Sequence, residues 1–187
     1  MRVTWQLKGV LAALAVVLAG SVFILAEAGL DAQQAPRLRM LVVHGPNLNL
    51  LGRREPQIYG TTTLAQVNER LVSLGNEINV EVITIQSNSE GVLVDAFQAH
   101  MDDVDGALIN GAGLTFSSVS LHDVIKAMPF PVIEVHISNL GTRDEIHRNS
   151  ILTPAVRGAV MGLGWRSYTA ALRSLAELVR EEKSAKR

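Results

Sequence analysis

A three-layer α/β/α fold around a five-stranded parallel sheet is what the sequence predicts, and three observations carry it. Short apolar or β-branched runs alternate five times with stretches of helical periodicity, which calls for crossover connections and parallel strands. The strand runs are largely apolar, as suits a sheet covered on both faces. Polar, glycine-rich clusters follow the first, third and fourth runs, at the strand ends where doubly wound sheets place ligands. The chain has 187 residues, enough for one domain with a full hydrophobic core.

Each element has its own signal. Met40-Leu41-Val42-Val43 is the first strand, and it opens into a long loop, His44 to Gly60, rich in Gly, Asn and Arg. A connection of that length in a compact domain points to function. Thr63 and Gln66 form a capping box before a helix whose Leu64, Val67, Leu71 and Leu74 share a face, with Gly75 as its expected end. Val80 to Ile85 is β-branched and makes the second strand, followed by Gln86-Ser87-Asn88. A helix from about Val92 to Met101 turns Leu93, Ala96, Phe97 and Met101 inward. Ala107 to Ile109 is the third strand, leading into Asn110-Gly111-Ala112-Gly113-Leu114-Thr115-Phe116; Ser117 or Ser118 then caps a helix through Val119, Val124 and Ile125. Pro131 to Val135 is the fourth strand, ending at His136-Ile137-Ser138-Asn139. A loop with a short helix spans Gly141 to Arg148, and Val156 to Met161 is the fifth strand. Ser167 to Glu182 closes the chain as an amphipathic helix with Ala170, Leu172, Leu175 and Leu178 on its apolar side, before a charged tail that frays. The order is that of a flavodoxin-like fold from about residue 38 onward.

Residues 1–28 stand apart. Arg2 and Lys8 precede Gly9 to Ala26, 18 residues without charge, and Ala26-Glu27-Ala28 follows the small-x-small pattern of a cleavage site. This predicts an exported, periplasmic or secreted protein with a linker at 29–38 and a catalytic domain at 39–187. The alternative is a membrane anchor at 9–26, since 18 residues lie at the short end of what spans a bilayer. Translation from Met40 would instead give a cytosolic protein starting at the first strand.

Charge and composition narrow the function classes. The 17 basic and 18 acidic residues give a net charge of −1; setting aside residues 1–28 leaves 15 and 17, or −2. No basic stripe or stacking platform for nucleic acid stands out. The absence of cysteine excludes thiolate chemistry and Cys-based metal sites. Histidines 44, 100, 122, 136 and 147 lack metal-binding spacing, so neither a metal nor a cofactor is expected. Gly111-Ala112-Gly113 completes neither the dinucleotide fingerprint nor a phosphate loop.

What remains at the strand ends suits proton transfer on a small molecule. Tyrosine has a reference pKa of about 10, and a nearby guanidinium favours its phenolate as a base; Arg54 is the natural partner for Tyr59. His136, ending a buried strand, can donate a proton to a leaving oxygen. Asn47 and Asn110 can hold a water or an enolate oxygen, Gly111 and Gly113 let backbone amides approach a carboxylate, and Ser138 and Arg143 lie on the same edge.

These residues also carry a resemblance. Gly45-Pro46-Asn47-Leu48-Asn49-Leu50-Leu51-Gly52, Arg54-Glu55-Pro56, Tyr59-Gly60, Gln86-Ser87-Asn88 and Glu134-Val135-His136-Ile137-Ser138-Asn139 resemble the type II 3-dehydroquinate dehydratases, from about Arg39 to Leu178. The resemblance implies a flavodoxin-like subunit in a homododecamer of four trimers, and an anti elimination of water from 3-dehydroquinate through an enolate. It implies Tyr59 as general base, Arg54 as promoter of its phenolate, His136 as general acid and Asn47 as holder of a water at the enolate oxygen. Asn110, Asp123, Ile137 and Ser138 match substrate-binding positions. Two positions depart: Phe116 stands where the family usually has a histidine, and His147 where it has an arginine. Each loss of a charge-assisted contact costs about 1.5–3 kcal/mol, roughly ten- to a hundredfold in binding. Arg148 is one residue on, rotated by about 100° along a helix, and does not simply replace the missing group. The expected activity is therefore a hydro-lyase acting on 3-dehydroquinate. Its rivals are a lyase for a related cyclic β-hydroxy ketone and a non-catalytic binder of polyhydroxy carboxylates.

Overall fold

The computed structural model describes residues 36–186. The expected leader or anchor and residues 29–35 of the linker lie outside the described residues. Among the described residues no helix is long and apolar enough to cross a membrane.

Five strands, β1 (Leu38–His44), β2 (Val80–Gln86), β3 (Gly106–Asn110), β4 (Val132–His136) and β5 (Gly158–Met161), form one sheet in the order β2-β1-β3-β4-β5, with every pair parallel. Leu38, counted with the linker in the sequence reading, belongs to β1. Alternate β1 side chains serve opposite faces, as the strand pleat requires. Met40 and Val42 pack with α2 (Leu64–Glu77) and the closing helix α5 (Arg166–Ala185), whereas Leu41 and Val43 pack with α3 (Glu90–Ala99) and α4 (Val119–Ala127). Side chains such as Leu71, Phe97 and Leu172 are fully buried, each contributing about 1.5–3 kcal/mol through removal from water. The single turn α1 (Pro56–Tyr59) lies in the long loop after β1.

The register sets the site. His44 lies opposite both Gln86 and Asn110, so β1, β2 and β3 release their polar loops at one level. The β1 and β3 ends approach so closely that a Cβ on Gly45 would fall 2.4 Å from the Gly111 carbonyl oxygen. Glycine is required there for contact between backbones.

Helix ends bear out some readings and correct others. Thr63 and Gln66 make the reciprocal capping box, at 3.0 and 3.2 Å. Of the two serines before α4, Ser118 is the cap, accepting from Leu121 N–H at 2.9 Å. Gly75 does not end α2, which continues to Glu77. A Cβ on Gly75 would meet the Val80 carbonyl oxygen at 2.7 Å, so this glycine lets the helix sit against β2, and the left-handed residue after the helix is Asn79. Helix α3 stops at Ala99, leaving Met101 in a turn, and β5 begins two residues later than expected, at Gly158. In α5 the buried stripe is Tyr168, Ala171, Leu172, Leu175, Ala176 and Val179, the i, i+3, i+4, i+7 pattern of one helical face. Ala170 and Leu178 are only half-buried, and the helix takes in the charged tail to Ala185.

Candidate active site

A cavity of about 170 Å³ opens at the carboxyl edge of the sheet. Asn47, Arg54 and Tyr59 from the β1 loop, Asn110 from β3, Phe116 from the following 3-10 turn, and His136, Ile137, Ser138 and His147 from β4 and beyond all line it. Of the expected site residues only Asp123 lies elsewhere. It sits on α4 with a 70 % exposed side chain, bonded to His122 Nδ1 at 3.0 Å. The helical periodicity that buries Leu121, Val124 and Ile125 turns position 123 outward.

The β1 loop is held by the segment after β2. Asn88 Oδ1 accepts from the Asn47 backbone N–H at 2.9 Å, and Ser87 N–H donates to the His44 carbonyl at 3.1 Å. This explains the Gln86-Ser87-Asn88 motif, whose residues are outside the pocket lining. Asn47 adopts φ 64, a left-handed conformation that asparagine tolerates better than most residues. Pro56 starts α1, where its missing N–H costs nothing, and that one turn carries Tyr59 to the cavity.

Tyr59 is flanked by two guanidinium groups. Arg143 Nη1 donates to the Tyr59 hydroxyl at 3.1 Å and also to Ser138 Oγ at 3.1 Å. Arg54 stands over the ring, its Cζ 4.8 Å from the centroid, and pairs with Glu55 at 2.9 Å. The sequence reading gave the phenolate to Arg54; the geometry gives the direct hydroxyl contact to Arg143, whose place on the same edge was legible but whose reach was not. Arg143 sets positive charge against the oxygen where a phenolate would carry its negative charge, and Arg54 adds a second guanidinium over the ring.

His136 is almost fully buried, and its Nε2 lies 2.7 Å from Glu134 Oε1. The same carboxylate accepts from Ser150 Oγ at 2.7 Å and from Thr153 Oγ1. Burial alone would push the Glu134 carboxyl up, but hydrogen bonds from His136, Thr153 and Ser150 hold it below its ordinary value. The Glu134 carboxylate accepts from Nε2–H, so any proton His136 gives to a pocket ligand is the Nδ1 proton of the doubly protonated ring, whose charge the carboxylate balances. Glu134 was missed as a site residue. Its signal was an acidic residue in the apolar strand Val-Ile-Glu-Val-His, two positions from His136 and so on the same strand face.

Another part of the lining pairs two rings. Phe116 meets His147 edge to face, centroids 5.4 Å apart at 89°. His147 Nδ1 lies 2.7 Å from Asp144 Oδ1, and the hydrogen bond from His147 holds the Asp144 carboxyl below its ordinary value.

Beneath the pocket runs a buried polar chain. His44 Nε2 meets Asn68 Oδ1 at 3.0 Å, His44 Nδ1 meets the Tyr168 hydroxyl at 3.1 Å, Asn110 Nδ2 donates to that hydroxyl at 3.0 Å, and Asn110 Oδ1 accepts from Ala112 N–H at 3.1 Å. Burial pushes His44 down to about 4. The unfolded chain titrates this histidine near 6.5, so between these values it binds the extra proton. Stability is therefore complete above about pH 6.5 and falls as pH drops toward 4, by on the order of 3 kcal/mol from this group. Urea midpoints at pH 7 and 4.5 should diverge less in His44→Asn than in the wild type. An equal divergence would remove His44 as the cause.

The sequence and the structure both lead to known proteins. A family model described as dehydroquinase class II matches residues 38–176. A 3-dehydroquinate dehydratase from Bordetella avium is 50% identical over 135 residues, covering 72% of this chain and 94% of the relative. One from Roseiflexus castenholzii is 43% identical over 135 residues, covering 72% and 86%. Among solved structures, the type II dehydroquinase from Propionibacterium acnes superposes with a TM-score of 0.74 at 38% identity, covering 77% of this chain and 99% of that one.

Proposed function

This chain belongs to the class II dehydroquinase family, and we propose that its pocket removes water from 3-dehydroquinate to give 3-dehydroshikimate. The reaction is that of a hydro-lyase of the shikimate pathway. The observation that carries the reading at this site is the pairing of a tyrosine held between two guanidinium groups with a carboxylate-bound histidine in one cavity.

The Tyr59 phenolate, facing Arg143 and Arg54, takes the proton from C2 of the substrate. The C2–H electron pair passes into the ring ketone as an enolate, whose oxygen is met by a water held at Asn47. The enolate then re-forms the ketone, the C1–O bond breaks as the C1=C2 bond forms, and the doubly protonated His136 ring, its Nε2–H held by Glu134, gives its Nδ1 proton to the departing hydroxyl, which leaves as water while the ring becomes neutral. Glu134 holds the imidazole for that transfer. Asn110, Ile137 and Ser138 bind the substrate. The homododecamer of four trimers is carried by the family resemblance, and in such an assembly Asp123, exposed on α4 and outside this chain's pocket, is free to reach a neighbouring copy's pocket. The leader read in residues 1–28 supports export, with the enzyme acting on dehydroquinate from quinate breakdown in the periplasm or outside the cell; held at 9–26 instead, it would work at the membrane. The direct test is growth of the enone absorbance when the purified domain meets 3-dehydroquinate, and no growth would end the proposal.

A second substrate, a related cyclic β-hydroxy ketone with a less polar edge, is favoured by one observation, the edge-to-face Phe116–His147 wall. Restoring a hydrogen-bonding group through Phe116→His should raise kcat/KM on 3-dehydroquinate about tenfold. An unchanged ratio would count against the wall as a determinant of specificity.

A further inference from the structure

We propose that His44 and Tyr168 are positioning residues that fix which way the Asn110 carboxamide faces, and so which of its atoms is offered to the substrate. The proposal rests on the reading of the pocket as the dehydroquinate site. It starts from one group whose polarity is unambiguous. The Ala112 backbone N–H can only donate, and it lies 3.1 Å from one terminal atom of the Asn110 side chain. That atom is therefore the oxygen. The amino group is left to donate to the Tyr168 hydroxyl at 3.0 Å.

The rest of the chain follows by elimination. The Tyr168 oxygen could accept a second bond, but its one buried proton needs an acceptor, and among the described residues the hydroxyl's other partner is His44 Nδ1 at 3.1 Å, so the proton goes there. That nitrogen must be bare, which puts the ring proton on Nε2, where Asn68 Oδ1 accepts it at 3.0 Å. Four side chains, from α2, β1, α5 and β3, thus share one direction of donation. His44 and Tyr168 have no exposed surface and Asn110 has 3%, so bulk water is not there to compensate a reversal.

A flipped Asn110 would turn its amino group on the Ala112 N–H and its oxygen on Tyr168. A protonated His44 would set a second N–H against the Tyr168 hydroxyl and strand the hydroxyl proton. Burial, which holds the titration of His44 low, independently disfavours that second proton. The second hydrogen of Asn110 Nδ2, which makes no bond among the described residues, is then the group offered to a substrate oxygen. Removing the support loosens a contact made in both ground and transition states, so KM should rise while kcat holds.

Two measurements test this. In protein labelled with 15N-histidine, His44 at neutral pH should show Nε2 protonated and Nδ1 bare; the opposite tautomer would overturn the proposal even if every variant failed to fold. In steady-state assays, Tyr168→Phe and His44→Leu should each raise KM about tenfold with kcat within roughly threefold. The double variant should be no worse than either single one, because both cut the same chain. His44→Asn, whose carboxamide oxygen can accept near the Nδ1 position, should recover most of the wild-type KM. Residues that only hold the fold would lower the yield of active enzyme, read as kcat, with KM unchanged; that pattern would overturn the proposal. A wild-type enzyme inert on 3-dehydroquinate would refute the substrate assignment, and the tautomer measurement would still decide the direction of the chain.

Discussion

Tyr59→Phe should lower kcat on 3-dehydroquinate by on the order of 10³-fold and leave substrate affinity within about threefold. The ring keeps its shape, its contact with Arg54 and its place on α1, so only the oxygen that receives the C2 proton is lost. The Arg143 guanidinium would lose one acceptor but keep Ser138 Oγ at 3.1 Å, so the pocket wall should hold its geometry. Titration calorimetry on the inert variant can measure binding separately from turnover. A loss of less than about tenfold would remove Tyr59 from the role of base, because positioned general bases contribute about 10²–10⁴-fold. Exchange of the C2 proton with solvent deuterium offers a second readout, since a variant without its base should lose exchange and elimination together.

Glu134→Gln should produce the second large effect, on stability and rate at once. The carboxylate is fully buried and accepts from His136, Ser150 and Thr153. A carboxamide keeps one acceptor oxygen and turns an amino group toward donors that have no other buried partner in that network. Breaking a buried charged network from one side costs about 3 kcal/mol, which for a domain of this size lowers the melting midpoint by roughly 6–12 °C. The rate should fall by about 10–100-fold through loss of the fixed imidazole orientation. Thr153→Val removes a single hydroxyl and should cost about 1 kcal/mol. Equal effects from the two substitutions would mean that the charge of Glu134 contributes little beyond one hydrogen bond.

The strands were legible because apolar β-branched runs between turn residues leave little alternative. The capping box of α2 was legible because both of its bonds are local. Gly75 misled because the same residue type ends helices and permits close packing, and only the position of Val80 across the gap decides between them. The face of α5 was half right: Leu172 and Leu175 are on the buried stripe, but counting began at Ala170, two residues past the true anchor, Tyr168, whose hydroxyl makes it look like a surface residue in sequence. At the site, Asn47, Tyr59, Asn110 and His136 were found from their strand ends. The Arg143–Tyr59 bond joins residues 84 positions apart and depends on how the segment after β4 folds back, which no local pattern encodes. His44 opens the loop motif, and its sequence position assigned it no role. The strand pleat sends it inward, to Asn68 and Tyr168.

The buried chain under Asn110 gives the pocket a floor that carries no charge. Its members are two carboxamides, a histidine that stays neutral until about pH 4 and a tyrosine whose ionisation burial pushes upward. Across the neutral range nothing in that floor gains or loses a proton. The electric field on the substrate from below is constant, and any inflection in a rate profile there arises outside this floor.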